Sequence, residues 1–135
     1  RWKQRHLIQI NSVRRYLQLL ESLFLIYRLP PWSLNIDKRL SKAPKLYFSD
    51  TALLLHVLNF TVQQLSSIPT ILGGVLENFV IMECVKQATW SHSDPRLYHY
   101  RLEKEKGTEV DLVLESGGNI VGLEVKLSSL IRSDD

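Results

Sequence analysis

The sequence has little cysteine, glycine or proline, and each scarcity excludes a class of protein. One cysteine, Cys84, occurs in 135 residues, so neither an intramolecular disulfide framework nor an all-cysteine zinc site is available. A low cysteine content is typical of a reducing compartment, and we expect a cytoplasmic protein. Six glycines and five prolines exclude a fibrous or low-complexity chain. Apolar runs such as residues 52–55 are far shorter than the ~20 residues of a membrane span, so we expect no membrane association.

The composition is that of a folded chain of one ordinary domain or two very small ones. Apolar residues make up 44% of the sequence and charged residues 23%, which predicts a globular core and argues against disorder. The first residue is Arg1 rather than methionine, and we therefore expect the chain to be a piece of a longer protein.

The charge is distributed unevenly along the sequence. Residues 1–45 contain ten Lys or Arg and two acidic residues, a formal charge of +8, whereas residues 46–135 contain seven Lys or Arg and twelve acidic residues, a formal charge of −5. A basic third followed by an acidic remainder indicates two modules. The basic module favours a polyanion such as nucleic acid. A solubilising surface, or an interface with an acidic neighbour, is the alternative.

The first 49 residues predict a winged-helix-like segment. Apolar residues at positions i, i+3, i+4, i+7 and i+11 predict a helix over 12–24. A short strand over 24–29 ends at two prolines, a basic loop follows, and a return strand covers 44–48. This order matches the second half of a winged-helix module, in which a helix enters a groove of DNA. The residues that we expect to contact phosphates are Arg14, Arg15, Lys38, Arg39 and Lys42.

The remaining residues, 50–135, predict two helices followed by three strands. The second helix, over about 71–88, is apolar almost all round and has Glu77 in its middle. A carboxylate in such surroundings must be paired, neutralised or bound to a metal. Alternation of apolar and polar residues predicts the strands, which cover 97–102, 108–115 and 120–128.

The last two strands place charged residues opposite each other. A turn at Gly117 and Gly118 sets Asp111 opposite Glu124 and Glu109 opposite Lys126. Opposed residues have Cβ atoms ~4.5–5.5 Å apart, and two carboxylates at that distance repel.

A divalent cation between the two carboxylates reverses the repulsion. We therefore expect Asp111, Glu124 and Glu77 to hold Mg²⁺ or Mn²⁺ and Lys126 to stabilise a scissile phosphate or orient an attacking water. A solvated sheet face, with Glu109 paired to Lys126, is the alternative.

These residues resemble the motifs of the PD-(D/E)XK nuclease superfamily. Glu77 on a helix, Asp111 on a strand and the Glu124–Lys126 segment on the next strand follow the order of its core. The resemblance implies an α/β (α+β) fold, with a winged-helix-like segment over 1–49 and a C-terminally truncated α-β-β-β nuclease-like core over 50–135. It also implies that Lys126, Glu124, Asp111 and Glu77 form the catalytic set.

Longer strings resemble the domain of unknown function that lies C-terminal to the P-loop ATPase core in bacterial and archaeal AAA-type ATPases. The matching strings are Arg14–Leu17, Leu19–Glu21, Pro44–Phe48, Leu76–Val80 and Glu109–Val113. The resemblance implies an N-terminal ATPase domain in the same protein. The chain itself has no GxxxxGK[ST] motif and should not bind ATP in that manner.

Three functions are open at this point. The first is a Mg²⁺- or Mn²⁺-dependent nuclease, the second a DNA- or RNA-binding module on a nuclease-like scaffold, and the third a regulatory or homo-oligomerisation platform for the ATPase. The motif residues imply a capacity for hydrolysis and do not decide whether the chain is an enzyme.

Overall fold

The computed structural model describes residues 10–35, 42–102 and 109–127 as a mixed α+β fold. The elements are α1 Ile10–Ser22, β1 Ile26–Leu29, β2 Lys45–Phe48, α2 Thr51–Leu58, α3 Val62–Leu65, α4 Pro69–Ala88, β3 Arg96–Arg101, β4 Glu109–Ser116 and β5 Asn119–Leu123. β1 and β2 form an antiparallel pair, and β3, β4 and β5 form an antiparallel sheet in that order. The predicted helices and strands are thus present, whereas the finer winged-helix and nuclease-like assignments stay predictions.

Local sequence signals explain several of the element boundaries. The side chain of Asp50 accepts a hydrogen bond of 2.9 Å from the backbone N–H of Leu53 and so caps α2. Gly117 and Gly118 adopt φ angles of 56° and 83° between β4 and β5. A two-residue hairpin turn of this kind needs positive φ at both positions, which glycine supplies without strain.

The core draws residues from both sides of the boundary that we predicted between residues 49 and 50. Its buried members come from β1, β2, α4 and β4, and they are Leu29, Tyr47, Ile81, Met82 and Leu112. The two predicted segments therefore share one apolar cluster. The domain boundary itself stays a prediction.

Helix α1 lies at the edge of the fold. All thirteen of its residues are described, and none is buried. The apolar stripe that predicts the helix is exposed, with Tyr16 at 65%. Arg14 and Arg15 are exposed as well. The helix ends two residues earlier than predicted because the backbone turns at Phe24, whose φ is 57°.

The buried side chain of Asn78, on α4, hydrogen-bonds the end of β2. Its Oδ1 accepts the backbone N–H of Phe48 at 2.8 Å, and its Nδ2 donates to the carbonyl of Phe48 at 3.0 Å and to the hydroxyl of Thr51 at 3.3 Å. Only 4% of the residue is exposed.

No helix in the described part of the chain combines the length and the apolar content that crossing a membrane requires.

We expect Asn78→Ala to lower the free energy of unfolding by about 2 kcal/mol, because it leaves the partly buried backbone N–H and C=O of Phe48 without their side-chain partner. Urea unfolding monitored by circular dichroism measures the change. Gln87→Ala, at an exposed position of the same helix, is the control and should change stability little. Equal effects of the two substitutions would show that the Asn78 hydrogen bonds do not hold β2 in place.

Candidate functional site

Three carboxylates converge on the ammonium group of Lys45. Nζ of Lys45 lies 2.6 Å from Oε1 of Glu109, 3.0 Å from Oδ1 of Asp111 and 3.2 Å from Oε1 of Glu77. We call these four residues the Lys45 cluster. The side chains are partly buried, from 13% exposed for Asp111 to 36% for Glu109. The structure thus brings two of the predicted acidic site residues, Glu77 and Asp111, to one point.

Three elements supply the four residues of the Lys45 cluster. Glu109 and Asp111 are two residues apart on β4, so their side chains lie on the same face of the sheet. Glu77 projects from α4, which packs against both β2 and β4. Lys45 is the first residue of β2. The cluster therefore forms where α4 meets a strand of each sheet.

Glu77 has a second partner, the hydroxyl of Tyr47. It donates a hydrogen bond of 2.7 Å to Oε1 of Glu77. Burial, together with this bond and the charge of Glu77, raises the pKa of Tyr47. Burial alone would lower the pKa of Lys45, but its hydrogen bonds to Glu109 and Asp111 and the charge of Glu77 outweigh burial and raise it. Lys45 is therefore a permanent cation at neutral pH.

The predicted hairpin register is present, and its last pair lies next to the cluster. Leu112 pairs with Leu123 and Ser116 with Asn119, which is the alignment that the two-glycine turn predicts. β5 ends at Leu123 rather than at 128. The N–H of Val125 donates to Oδ2 of Asp111 at 3.0 Å. If β5 continued, this N–H would instead donate to the backbone of β4.

Glu124 and Lys126 lie on the segment after β5 and not in the described Lys45 cluster. Nζ of Lys126 is 3.6 Å from Oε1 of Glu124, and their side chains are 39% and 49% exposed. Glu109, which the register predicts opposite Lys126, contacts Lys45 and lies 4.0 Å from the guanidinium of Arg101. The predicted catalytic set is therefore divided between a half-buried cluster and an exposed ion pair beside it.

The described residues do not fit a bound metal ion in this arrangement. Across residues 10–35, 42–102 and 109–127, no group of three or more His, Cys, Asp or Glu side chains is placed to hold one. Magnesium requires oxygen ligands at ~2.0–2.1 Å around a common centre. At the centre of the carboxylates of Glu77, Glu109 and Asp111 stands the ammonium of Lys45.

The predicted phosphate contacts are placed in part. Arg14 and Arg15 are exposed on α1, and Nζ of Lys42 lies 3.4 Å from the carbonyl of Arg101. Lys38 and Arg39 lie outside the described residues.

Sequence reasoning missed Lys45 and Tyr47 as site residues. A signal was present, because the spacing Lys45-x-Tyr47 puts both side chains on one face of a strand, as Glu109-x-Asp111 does.

Comparison with known proteins divides the chain into two matched segments. Residues 72–135 match the family model of a domain of unknown function, DUF4143. This domain is known at the C-terminus of AAA-ATPase-like proteins, as the resemblance predicted. Residues 4–64 match a second domain of unknown function, DUF8612. Lys45 thus lies in the DUF8612 segment, and its acidic partners lie in the DUF4143 segment.

Two mycobacterial proteins are similar to most of the chain. The uncharacterized proteins Mb2031c of Mycobacterium bovis and Rv2008c of Mycobacterium tuberculosis are each 33% identical over 119 residues. The alignments cover 88% of this chain and 26% of each relative. The chain therefore spans about a quarter of the length of these relatives. No solved structure matches it significantly.

We expect the protein to lose stability above about pH 10, and Tyr47→Phe to lose less. The pKa of Tyr47 is raised above its ordinary value of 10.0, so the folded state favours the protonated phenol. Its contribution is complete below pH 10.0 and is lost as the pH rises toward the folded-state pKa. Urea unfolding between neutral and strongly alkaline pH measures the difference. Identical pH profiles of the two proteins would contradict the role of the Tyr47–Glu77 hydrogen bond.

Proposed function

We propose that the chain is a non-catalytic, nucleic-acid-docking module of an AAA-type ATPase. In this proposal the nuclease-like acidic residues have become a structural ion-pair network. The observation that carries it is the position of Lys45, whose Nζ lies 2.6–3.2 Å from three carboxylates. A hydrolase of the predicted type needs a metal ion at that point to activate a water.

The Lys45 cluster has the properties of a structural network. Its charges are held by direct contacts between elements rather than left open to a substrate, and Tyr47 adds a hydrogen bond from the core side. Removing one partner from a partly buried network leaves an uncompensated charge, which is strongly destabilising. Such a network therefore holds β2 against α4 and β4, as a scaffold requires.

The docking half of the proposal rests on α1. Arg14 and Arg15 are exposed on this helix, and they belong to the basic third of the chain. Lysine and arginine side chains that neutralise phosphates release counterions, which gives binding without sequence specificity and with a strong dependence on salt.

The contact with the ATPase is assigned to the other side of the same helix. Val13, Tyr16 and Leu20 are 41%, 65% and 36% exposed, and their spacing of three and four residues places them in one apolar stripe of α1. Apolar stripes of this kind mark interaction surfaces. The relatives are about four times as long as the matched region, and the proposed partner is the ATPase part of the same protein.

We expect the chain to bind duplex DNA with an affinity that falls steeply with salt. Replacing both Arg14 and Arg15 by alanine should weaken binding and reduce the slope of log affinity against log salt by roughly two, about one for each lost phosphate contact. Fluorescence anisotropy with a labelled duplex measures both quantities. Lys86→Ala, which removes an exposed lysine of α4, is the control. Absence of binding, or an unchanged slope in the double variant, would remove the docking function.

Metal-dependent phosphodiester hydrolysis is the second candidate, and one contact favours it. The hydrogen bond from the Val125 N–H to Asp111 holds the segment with Glu124 and Lys126 beside the acidic cluster. This is the neighbourhood that the nuclease motifs require. The candidate further requires Lys45 to leave the carboxylates of Glu77 and Asp111.

Incubating the full-length protein with DNA and Mg²⁺ or Mn²⁺ separates the two candidates. As a docking module the protein should leave the DNA intact, which gel electrophoresis detects. Cleavage that is abolished by Lys126→Ala and by Asp111→Asn, and is retained by Glu83→Gln, would establish the hydrolase instead. Glu83 is a suitable control because its carboxylate pairs with Lys86 on a different part of α4.

A further inference from the structure

We infer that His99 is an acid-sensitive clamp between the two family-matched segments of the chain, which is closed while its imidazole is neutral and opens when the imidazole is protonated. His99 lies on β3, in the segment that matches DUF4143, and its partners in the clamp lie in the segment that matches DUF8612. The inference goes beyond the proposed function, because it concerns how the two segments are joined and does not depend on whether the chain docks nucleic acid.

The backbone of His99 joins β3 to residues 30–32, which we call the strap. The N–H of His99 donates to the carbonyl of Pro30 at 2.9 Å, and its carbonyl accepts the N–H of Trp32 at 2.6 Å. This pairing is parallel and centred on Pro31. The N–H that a proline lacks is not needed there, because the two bonds use the residues on either side. The backbone of one residue thus holds the strap against β3.

The side chain of His99 reaches the other end of the connection between β1 and β2. Its Nε2 lies 3.3 Å from the carbonyl oxygen of Ala43, just before β2 begins at Lys45. Because a carbonyl oxygen can only accept, the neutral ring carries its proton on Nε2 and leaves a lone pair on Nδ1. His99 therefore binds the strap through its backbone and Ala43 through its imidazole.

Protonation would place an unsatisfied donor and a charge in this junction. His99 is 6% exposed, and its Nδ1 has no hydrogen-bond partner among the residues that the structure describes. A proton added to Nδ1 creates a buried N–H without an acceptor and a buried positive charge, and both are costly. The closed clamp therefore accepts the neutral ring and disfavours the protonated one.

The charges around His99 act in both directions. The strap has no ionisable side chain. The ionisable residues on the other neighbouring elements and on β3 itself are Lys42 and Lys45 at the start of β2, Tyr98, Tyr100 and Arg101 on β3, and Glu109 and Asp111 on β4. Lys45 and Lys42 oppose a positive charge on the ring, whereas Glu109 favours one. The two lysines and the acid therefore partly cancel, and burial decides the balance.

Burial lowers the pKa of His99 below its ordinary value of 6.5, against the opposing effect of the hydrogen bond to Ala43. The stabilising contribution of the neutral ring is complete above pH 6.5 and is lost as the pH falls from 6.5 toward the lowered folded-state pKa. The clamp should therefore hold at neutral pH and loosen in mildly acidic solution.

Amide hydrogen exchange, followed residue by residue by NMR on the whole chain, tests the clamp. Each rate is measured at about pH 7.5 and about pH 5 and is divided by the intrinsic exchange rate at that pH. The protection of the N–H groups of His99 and Trp32 should fall at least about tenfold at the lower pH. The N–H of Ser49 bonds the carbonyl of Leu25 beside the β1–β2 pair, and its protection should stay within about threefold.

Two histidine substitutions isolate the role of the imidazole. The amide of His99→Gln can donate to Ala43 but does not titrate, so this variant should keep the Trp32 N–H protected at both pH values. His92→Gln replaces an exposed histidine shortly before β3. It is the matched control and should retain the acid response of wild type.

The outcomes separate this inference from the proposed function. Unchanged protection of the Trp32 N–H in acid overturns the inference, and so does an acid response that persists in His99→Gln. An equal loss at Ser49 overturns it as well, because the whole fold would then be responding. A chain that shows the acid response but does not bind DNA removes the docking function and leaves the inference standing.

An NMR titration of wild type tests the inference if His99→Gln fails to fold. The ring nitrogens of His99 should show a proton on Nε2 at neutral pH, and the ring should titrate below pH 6.5 together with the loss of protection at the Trp32 N–H. A proton on Nδ1 at neutral pH, or a titration at or above 6.5, would overturn the inference.

Discussion

The attraction between one ammonium group and three carboxylates organises this molecule. Lys45 comes from β2, Glu77 from α4, and Glu109 and Asp111 from β4, so their contacts join both sheets to the long helix. Mutual repulsion would drive the acids apart without a cation between them. The position of β2 therefore matters to α4 and β4 in two ways: β2 packs near them, and its Lys45 supplies the cation between their acids.

Packing and hydrogen bonding also hold β2 against α4. Tyr47 is part of the apolar core through its ring and part of the ion-pair network through its hydroxyl. Asn78, one residue after Glu77, binds the backbone at the end of β2. Glu77 and Asn78 are consecutive residues of α4. Glu77 therefore contacts the side chain of Tyr47 on β2, and Asn78 contacts the backbone of Phe48 on the same strand. This double contact explains how segments that match two different families, DUF8612 and DUF4143, meet in one structure.

Much of the local structure was predictable, because it depends on short-range signals. Asp50 caps a helix, and the two-glycine turn sets a register that brings Asp111 next to the segment containing Glu124. The meeting of Glu77 with Asp111 also followed from the motif order. The placement of Lys45 was not predictable in the same way, because it depends on β2 packing against α4, a long-range contact that no local pattern encodes. The sequence also did not indicate that the side chain of Asp111 accepts the N–H of Val125 just after the end of β5.

The separation of Lys45 from its partners along the chain has a consequence for biosynthesis. The lysine precedes Glu77 by 32 residues and Asp111 by 66. A ribosome makes the basic third of the chain first, and β2 is synthesised before the three acids that pair with Lys45. Closing so long a loop carries an entropic cost that only the later contacts repay. The junction around Lys45 can therefore close only after β4, with Glu109 and Asp111, has been synthesised.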